Sequence, residues 1–335
     1  MLSFVIPVYK TPEQLLRNCL DSVLRYSQPM ELICVLDSPG DPCEQVLDEY
    51  AAKDPRMRLL KNDQNRGVSF SRNRGMDVAT GDYFAFVDAD DEIIAETYEK
   101  AAALAVEKKV DGCAFTSGKP NVARYGVKYG ESVVGTIKDR AVAKVLARGY
   151  SMAVFPMVLR RGLLVEKGIR FLQGHRYGED FMVVVKILCT GGRFAYWNLT
   201  GYKYVGHPDS ACRCAPNTER YTHGLIAVLT VLRMVASVDA DAETRRWYLS
   251  ICLPMVLFDR TAVRYVKGMA RWDYCANLKA LAKLMVGGYA NLFRTPSRLV
   301  FGVVQRWPKL WFLPGMPFSQ TLRFFNHFGL MLRRV

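Results

Sequence analysis

The sequence predicts an α/β protein: a mostly parallel sheet flanked by helices, with a helical appendage at its C-terminal end. Two observations carry this. Short apolar runs rich in β-branched and aromatic residues alternate with amphipathic stretches of helical period through the first 110 residues, and from Thr218 onward the helical period continues without such runs.

The elements follow in order. Leu2–Val8 (LSFVIPV) reads as a buried strand, and Thr11-Pro12-Glu13 starts an amphipathic helix that runs to about Tyr26. Glu31–Leu36 is a second strand closing on Asp37, and Pro42–Lys53 a second helix. Met57–Lys61 is a third strand, Val68–Ala79 a third helix and Tyr83–Val87 a fourth strand; Ile94–Glu107 is helical and Asp111–Thr116 a fifth strand. Right-handed βαβ crossovers keep such strands parallel, so Tyr9, Asp37 and the residues after Val87 should meet in one crevice.

The stretch Gly81–Glu92, GDYFAFVDADDE, organises the rest: an apolar strand delivers Asp88, Asp90 and Asp91 to its C-terminal end. Clustered carboxylates suit a hard divalent cation shared with phosphate. They equally suit a solvated acidic turn that caps the next helix, and the residues alone leave both open. The turn Asn65-Arg66-Gly67 leads into a helix with Arg72 and Arg74, which offer donors to phosphate or form an exposed basic face.

Residues 117–150 read as an irregular excursion, and Ser151–Leu172 resumes apolar structure. The loop Gly174–Asp180 then opens into a helix, Phe181–Cys189. Glu179 and Asp180 fall in its first turn, where a carboxylate favours the helix dipole whether or not it does chemistry. Phe194–Tyr204 looks like strand, ending near His207, a residue type common both in polar loops and as a metal ligand. No glycine-rich turn follows the first strand and no Walker A sequence occurs, which argues against nicotinamide enzymes and P-loop nucleotidases.

Charge divides the chain. Residues 1–110 hold 13 Lys and Arg against 19 Asp and Glu; residues 111–335 hold 33 against 13. No acidic residue follows Asp273, while nine Lys or Arg stand among Trp307, Trp311, Phe324, Phe325 and Phe328. Basic residues interleaved with aromatics favour an anionic membrane surface over nucleic acid, or else a hydrophobic helix packed on the main domain. Nine irregularly spaced cysteines suggest reduced thiols, and Cys212 and Cys214 have no second pair to complete a zinc site. The N-terminus lacks signal-peptide character and no stretch is long and apolar enough to span a bilayer, so the expected location is cytoplasmic, peripheral on the membrane's cytoplasmic face.

These residues together resemble a family 2 inverting glycosyltransferase with the GT-A fold, of the bacterial surface-polysaccharide type. The resemblance is carried by SFVIPVY (Ser3–Tyr9), Asp37, NRGVSFSRNRGMDVATGDYFAFVDADD (Asn65–Asp91), GIRF (Gly168–Phe171), GED (Gly178–Asp180) and YKYVGHPDS (Tyr202–Ser210). It implies a GT-A domain over residues 1–212, with a nucleotide-sugar half (1–116) and an acceptor half (117–212), followed by a basic helical region (213–335). It implies Asp180 as catalytic base and Pro7, Tyr9, Asp37, Arg72, Asp88 and Asp90 around the donor, a UDP-sugar first among nucleotide-diphosphate sugars. A divalent cation, Mn²⁺ or Mg²⁺, would be held by Asp90 and His207, with Asp88 and Asp91 as further ligands. The acceptor would be a glycan or glycolipid. A sugar nucleotidyltransferase, or a membrane- or acidic-polymer-binding protein on a degenerate transferase domain, is the competing expectation. The sequence departs from the family pattern at Lys10, where Asn is common, in a single Asp after the second strand, and at Phe155-Pro156, where a Trp often stands.

Overall fold

In a computed structural model the described residues are 1–117, 127–136, 139 and 153–206, with four isolated positions at 223, 227, 230 and 234. The chain divides into two units, Met1–Cys214 and Ala215–Val335. The fold below is that of the first.

Among the described residues, nine strands form one mixed sheet: β1 Leu2–Val8, β2 Met30–Leu36, β3 Met57–Lys61, β4 Tyr83–Phe86, β5 Glu92–Ile93, β6 Gly112–Ser117, β7 Ser132–Thr136, β8 Met157–Arg160 and β9 Arg193–Lys203. The spatial order is β3-β2-β1-β4-β8-β6-β9-β5, with β7 beside β9. Strands β3, β2, β1 and β4 are parallel. The helices are α1 Glu13–Leu24, α2 Cys43–Lys53, α3 Val68–Val78, α4 Ala95–Glu107, α5 Arg161–Glu166 and α6 Glu179–Leu188.

Alternation along β1 sets the layers. Leu2, Phe4, Ile6 and Val8 enter a core built with Leu16 and Leu20 of α1, Val46 and Leu47 of α2, and Tyr98 and Leu104 of α4. Val5 points to the other face, where α3 comes so close that a β-carbon on Gly75 would lie 2.4 Å from Val5 Cγ1. With both faces covered, β1 and β2 are buried almost throughout, which is why they read as continuous apolar runs.

The expected fifth strand, β6, runs in the same direction as β4, although β8 inserts between them antiparallel to both. One expectation needs correction. The stretch 117–150 is not wholly irregular: β7 pairs antiparallel with β9 from Ser132↔Trp197 to Thr136↔Arg193. Its Gly and Lys content hides a strand whose partner lies about 60 residues away in sequence. Apart from the four isolated positions 223, 227, 230 and 234, which are helical, the helices expected after Thr218 lie outside the described residues, as do the basic tail, His207, Cys212 and Cys214. Among the described residues, five cysteines are free and no helix is long and apolar enough to cross a membrane.

Candidate active site

Strand β4 ends where Val87 donates its N–H to Val5 O at 3.1 Å, and the chain then turns through Asp88–Asp91, closed by Asp91 N–H to Asp88 O at 3.1 Å. Carboxylate oxygens of Asp88, Asp90 and Asp91 lie within 4.8 Å of one another. The turn does not cap α4, whose N-terminus has no side-chain capping bond and is separated from the turn by β5. Burial, opposed by Arg72 and reinforced by Asp90, pushes the Asp88 carboxyl above the ordinary range. Asp91 is buried outright; burial, against hydrogen bonds from Val205 N–H and the Tyr202 hydroxyl, pushes it up to about 7.

Arg72, on α3, is neither an exposed arginine nor one held out to solvent. Its side chain is 2% exposed. Nη2 donates to Asp88 Oδ1 at 2.8 Å, and Nη1 to Asp180 Oδ1 at 2.8 Å and Glu179 Oε1 at 3.0 Å. The rings of Phe155 and Phe171 lie 5.4 and 5.1 Å from the guanidinium carbon. Burial alone would weaken the cation, but Asp180, Asp88 and Glu179 outweigh it, and Arg72 stays charged.

Asp180 and Glu179 begin α6 after Gly178, which takes a left-handed φ of 79°. Glycine adopts that conformation without steric cost, and it turns the chain so that both acids enter the first helical turn. The Asp180 side chain keeps 18% of its surface open, so it is reachable from solvent. Burial and the adjacent Glu179 push its carboxyl well above the ordinary carboxylate range, against the pull of Arg72.

The rest of the Asn65–Asp91 block holds this arrangement in place. Asn73 exchanges two hydrogen bonds with the backbone of Phe171, at 2.8 and 2.9 Å, which fixes α3 to the segment before α6. Asn62 Nδ2 bridges Asp37 (2.6 Å) and Ser71 (3.0 Å).

Asp37 stands at the same end of the sheet as Asp88 but faces inward. Its oxygens accept the N–H groups of Arg66 (3.0 Å) and Gly67 (2.8 Å) at the start of α3, where negative charge favours the helix. Those two backbone donors are therefore taken by the chain and not held out for phosphate. Arg74 likewise turns to the end of β3, donating to Lys61 O (2.7 Å) and Asn62 Oδ1 (2.6 Å). Pro7 lies in β1 opposite Val35. Tyr9 is exposed beyond the end of β1, followed by Lys10 at φ 48°, whose N–H is held by Asp41 Oδ2 at 2.7 Å. Sequence reasoning missed Tyr202, which donates to Asp91 and accepts from Asp88 N–H, and the pairing of Glu179 with Arg72. Both contacts join residues more than a hundred positions apart, beyond any local pattern.

Residues 3–164 match the sequence model described as Glycosyl transferase family 2. That match, just under half of the chain, is a similarity to family 2 glycosyl transferases. Glu179 and Asp180 lie past the matched residues. Among relatives, an uncharacterized glycosyltransferase of Escherichia coli, YibD, is 30% identical over 220 residues, covering 63% of each chain. The succinoglycan biosynthesis protein ExoO of Rhizobium meliloti is 25% identical over 213 residues, covering 61% of this chain and 60% of its own. The chain thus spans less than two thirds of the length of these relatives. Among solved structures, S. aureus TarS 1–349 in complex with UDP-GlcNAc superposes with a TM-score of 0.72 at 19% identity, covering 91% of this chain and 87% of that one, which shows a shared GT-A fold.

Proposed function

We propose that this domain acts as a family 2 transferase, moving a sugar from a nucleotide-diphosphate donor, with inversion, to a hydroxyl of a glycan or glycolipid acceptor. The observation that carries the reading is the single buried guanidinium of Arg72, which joins Asp88 at the cation-binding end of the sheet to Asp180 at the start of α6. A candidate base and candidate donor ligands thereby share one rigid support.

The donor set fits a divalent cation: carboxylates gathered within 4.8 Å, with Asp88 and Asp90 partly open. Asp90 and Asp88 would hold it, with His207. When bound, such a cation neutralises charge on the diphosphate leaving group. Asp180 accepts the proton of the acceptor hydroxyl as that oxygen forms its bond to the anomeric carbon. The bond from that carbon to the diphosphate breaks on the opposite face, and the electron pair leaves with the nucleoside diphosphate. A carboxyl raised above its ordinary range is a better proton acceptor than a free one once ionised, and Arg72 favours the ionised form. Tyr9, exposed beside Pro7 and Lys10, offers a face to the donor's base, while Asp37 shapes that wall from behind.

A UDP-sugar is the first donor to test, since the fold-related TarS has been crystallised with UDP-GlcNAc. The name of the succinoglycan relative supports a role in surface-polysaccharide synthesis. Peripheral attachment through residues 213–335 on the cytoplasmic side belongs to the same proposal. Calorimetric titration with UDP, GDP, dTDP and CMP, with and without Mn²⁺, tests the reading. Metal-dependent binding of one nucleotide, lost in Asp90→Asn, is expected. No nucleotide binding under any condition would favour a degenerate, non-catalytic domain.

A further inference from the structure

Asp91 sits in the acidic turn but differs from its neighbours. Its side chain is buried, and both carboxylate oxygens already have donors: the Tyr202 hydroxyl at 2.7 Å to Oδ2 and Val205 N–H at 2.7 Å to Oδ1. The Tyr202 oxygen in turn accepts Asp88 N–H at 3.2 Å. Tyr202 is itself buried, and its ring stacks on Phe155 with centroids 5.4 Å apart. Two backbone contacts extend the same seam: β5 pairs antiparallel with the end of β9 through Ile93↔Tyr202, and Ile94 N–H meets Gly201 O at 2.8 Å.

We infer that Asp91 and Tyr202 are positioning residues, a latch that ties the end of β9 to the acidic turn and sets the direction of the Asp88 backbone, and that Asp91 is not a ligand of the cation. The inference rests on the glycosyl-transfer reading for the cation itself. A cation drawing on Asp91 would compete with two short hydrogen bonds in a place closed to water, whereas Asp88 and Asp90 are partly open. Loss of the latch acts on the cation only through geometry. Removal of an outer hydrogen-bond partner of a metal site costs about 10–100-fold in metal affinity.

The test is Mn²⁺ titration of the full chain in five variants. Asp91→Asn keeps an acceptor for Val205 and a polar group for Tyr202 but removes the negative charge that a true ligand would give the cation. It is expected to bind Mn²⁺ within about threefold of the unaltered protein. Asp91→Ala and Tyr202→Phe should each weaken binding about tenfold, and the double variant no further than the worse single one. Asp90→Asn should abolish binding. If Asp91→Asn loses as much as Asp90→Asn, or if Tyr202→Phe has no effect, the inference fails. Amide exchange at Val205 and Asp88 without cation reads the latch directly. Faster exchange at both in Asp91→Ala is expected, and unchanged exchange overturns the latch. An unaltered protein with a protected Val205 amide but no Mn²⁺ binding counts against the glycosyl-transfer reading and leaves the latch standing.

Discussion

Arg72 Nη1 lies 2.8 Å from Asp180 Oδ1, a contact across 108 residues of sequence made by a guanidinium that also holds Asp88 and Glu179. Three carboxylates around one buried cation depend on that cation. Arg72→Ala leaves them uncompensated, and breaking a buried ion pair from one side costs about 3–5 kcal/mol. That loss should appear as a lower denaturant midpoint. Arg72→Lys carries the charge as a single point that cannot span both groups of acids. It should recover part of the stability while leaving sugar transfer impaired; full activity in the Lys variant would show that a point charge suffices.

Asp180→Asn removes the proton acceptor and keeps its shape. Transfer should fall by about 10²–10⁴, the usual share of a general base, with nucleotide and Mn²⁺ affinity unchanged. Steady-state transfer and calorimetry on the same preparation separate the two effects. Transfer at the unaltered rate would take Asp180 out of the chemistry.

The parallel half of the fold was legible because β1, β2 and β4 are buried apolar runs and α1 and α2 each carry an apolar stripe. Strand β3 begins and ends where the sequence places it, at Met57 and Lys61, and α1 starts directly after Pro12. Beyond that half, β6 and β9 stand within a residue of where the sequence places them, but β7 and β8 were not legible, since they are short and defined by partners far away in sequence. At the site, residue types pointed to Asp88, Asp90 and Asp180, but direction did not follow from type. Asp37 turns its carboxylate to the backbone of Arg66 and Gly67, and Arg72 turns inward to the acids. Those orientations come from tertiary contacts such as the Asn73–Phe171 pair, which no spacing rule contains.

Lys10 adopts φ 48°, a left-handed conformation that costs an ordinary L-residue about 1 kcal/mol and costs Asn or Gly less. Its N–H bond to Asp41 holds it there. Lys10→Asn should therefore raise stability by about 0.5 kcal/mol, read as a higher denaturant midpoint at an unchanged slope. A lower midpoint would mean that the Lys10 contact with the Tyr9 ring, 5.2 Å from Nζ, outweighs the backbone term.

Glu31 gives the fold an acid-side dependence. Burial raises its carboxyl, but hydrogen bonds from the Ser3 hydroxyl (2.7 Å), Thr80 N–H (2.6 Å) and Gly81 N–H (3.0 Å) outweigh that, and it titrates below its ordinary value. A carboxyl lowered on folding contributes stability that is present above its unfolded pKa, about 4.3 for Glu. The contribution is lost as pH falls through the lower folded value. Glu31→Gln should be less stable than the unaltered protein at pH 6, with the gap closing toward pH 3. A gap independent of pH would exclude the ionised form as the stabilising one.

Gly75 is a point where α3 packs tightly on Val5 of the sheet. A methyl group there would press on Val5 Cγ1, and overpacking of this kind costs about 1–3 kcal/mol. Because α3 carries Arg72 and Asn73, Gly75→Ala should also displace the guanidinium from Asp88 and Asp180 and reduce transfer along with stability. Val5→Ala opens space at the point of collision. The double variant Gly75→Ala/Val5→Ala should therefore be more stable than the two single losses added together, as coupled neighbours are. Strict additivity in a denaturant series would mean that α3 shifts as a whole instead of pivoting on this contact.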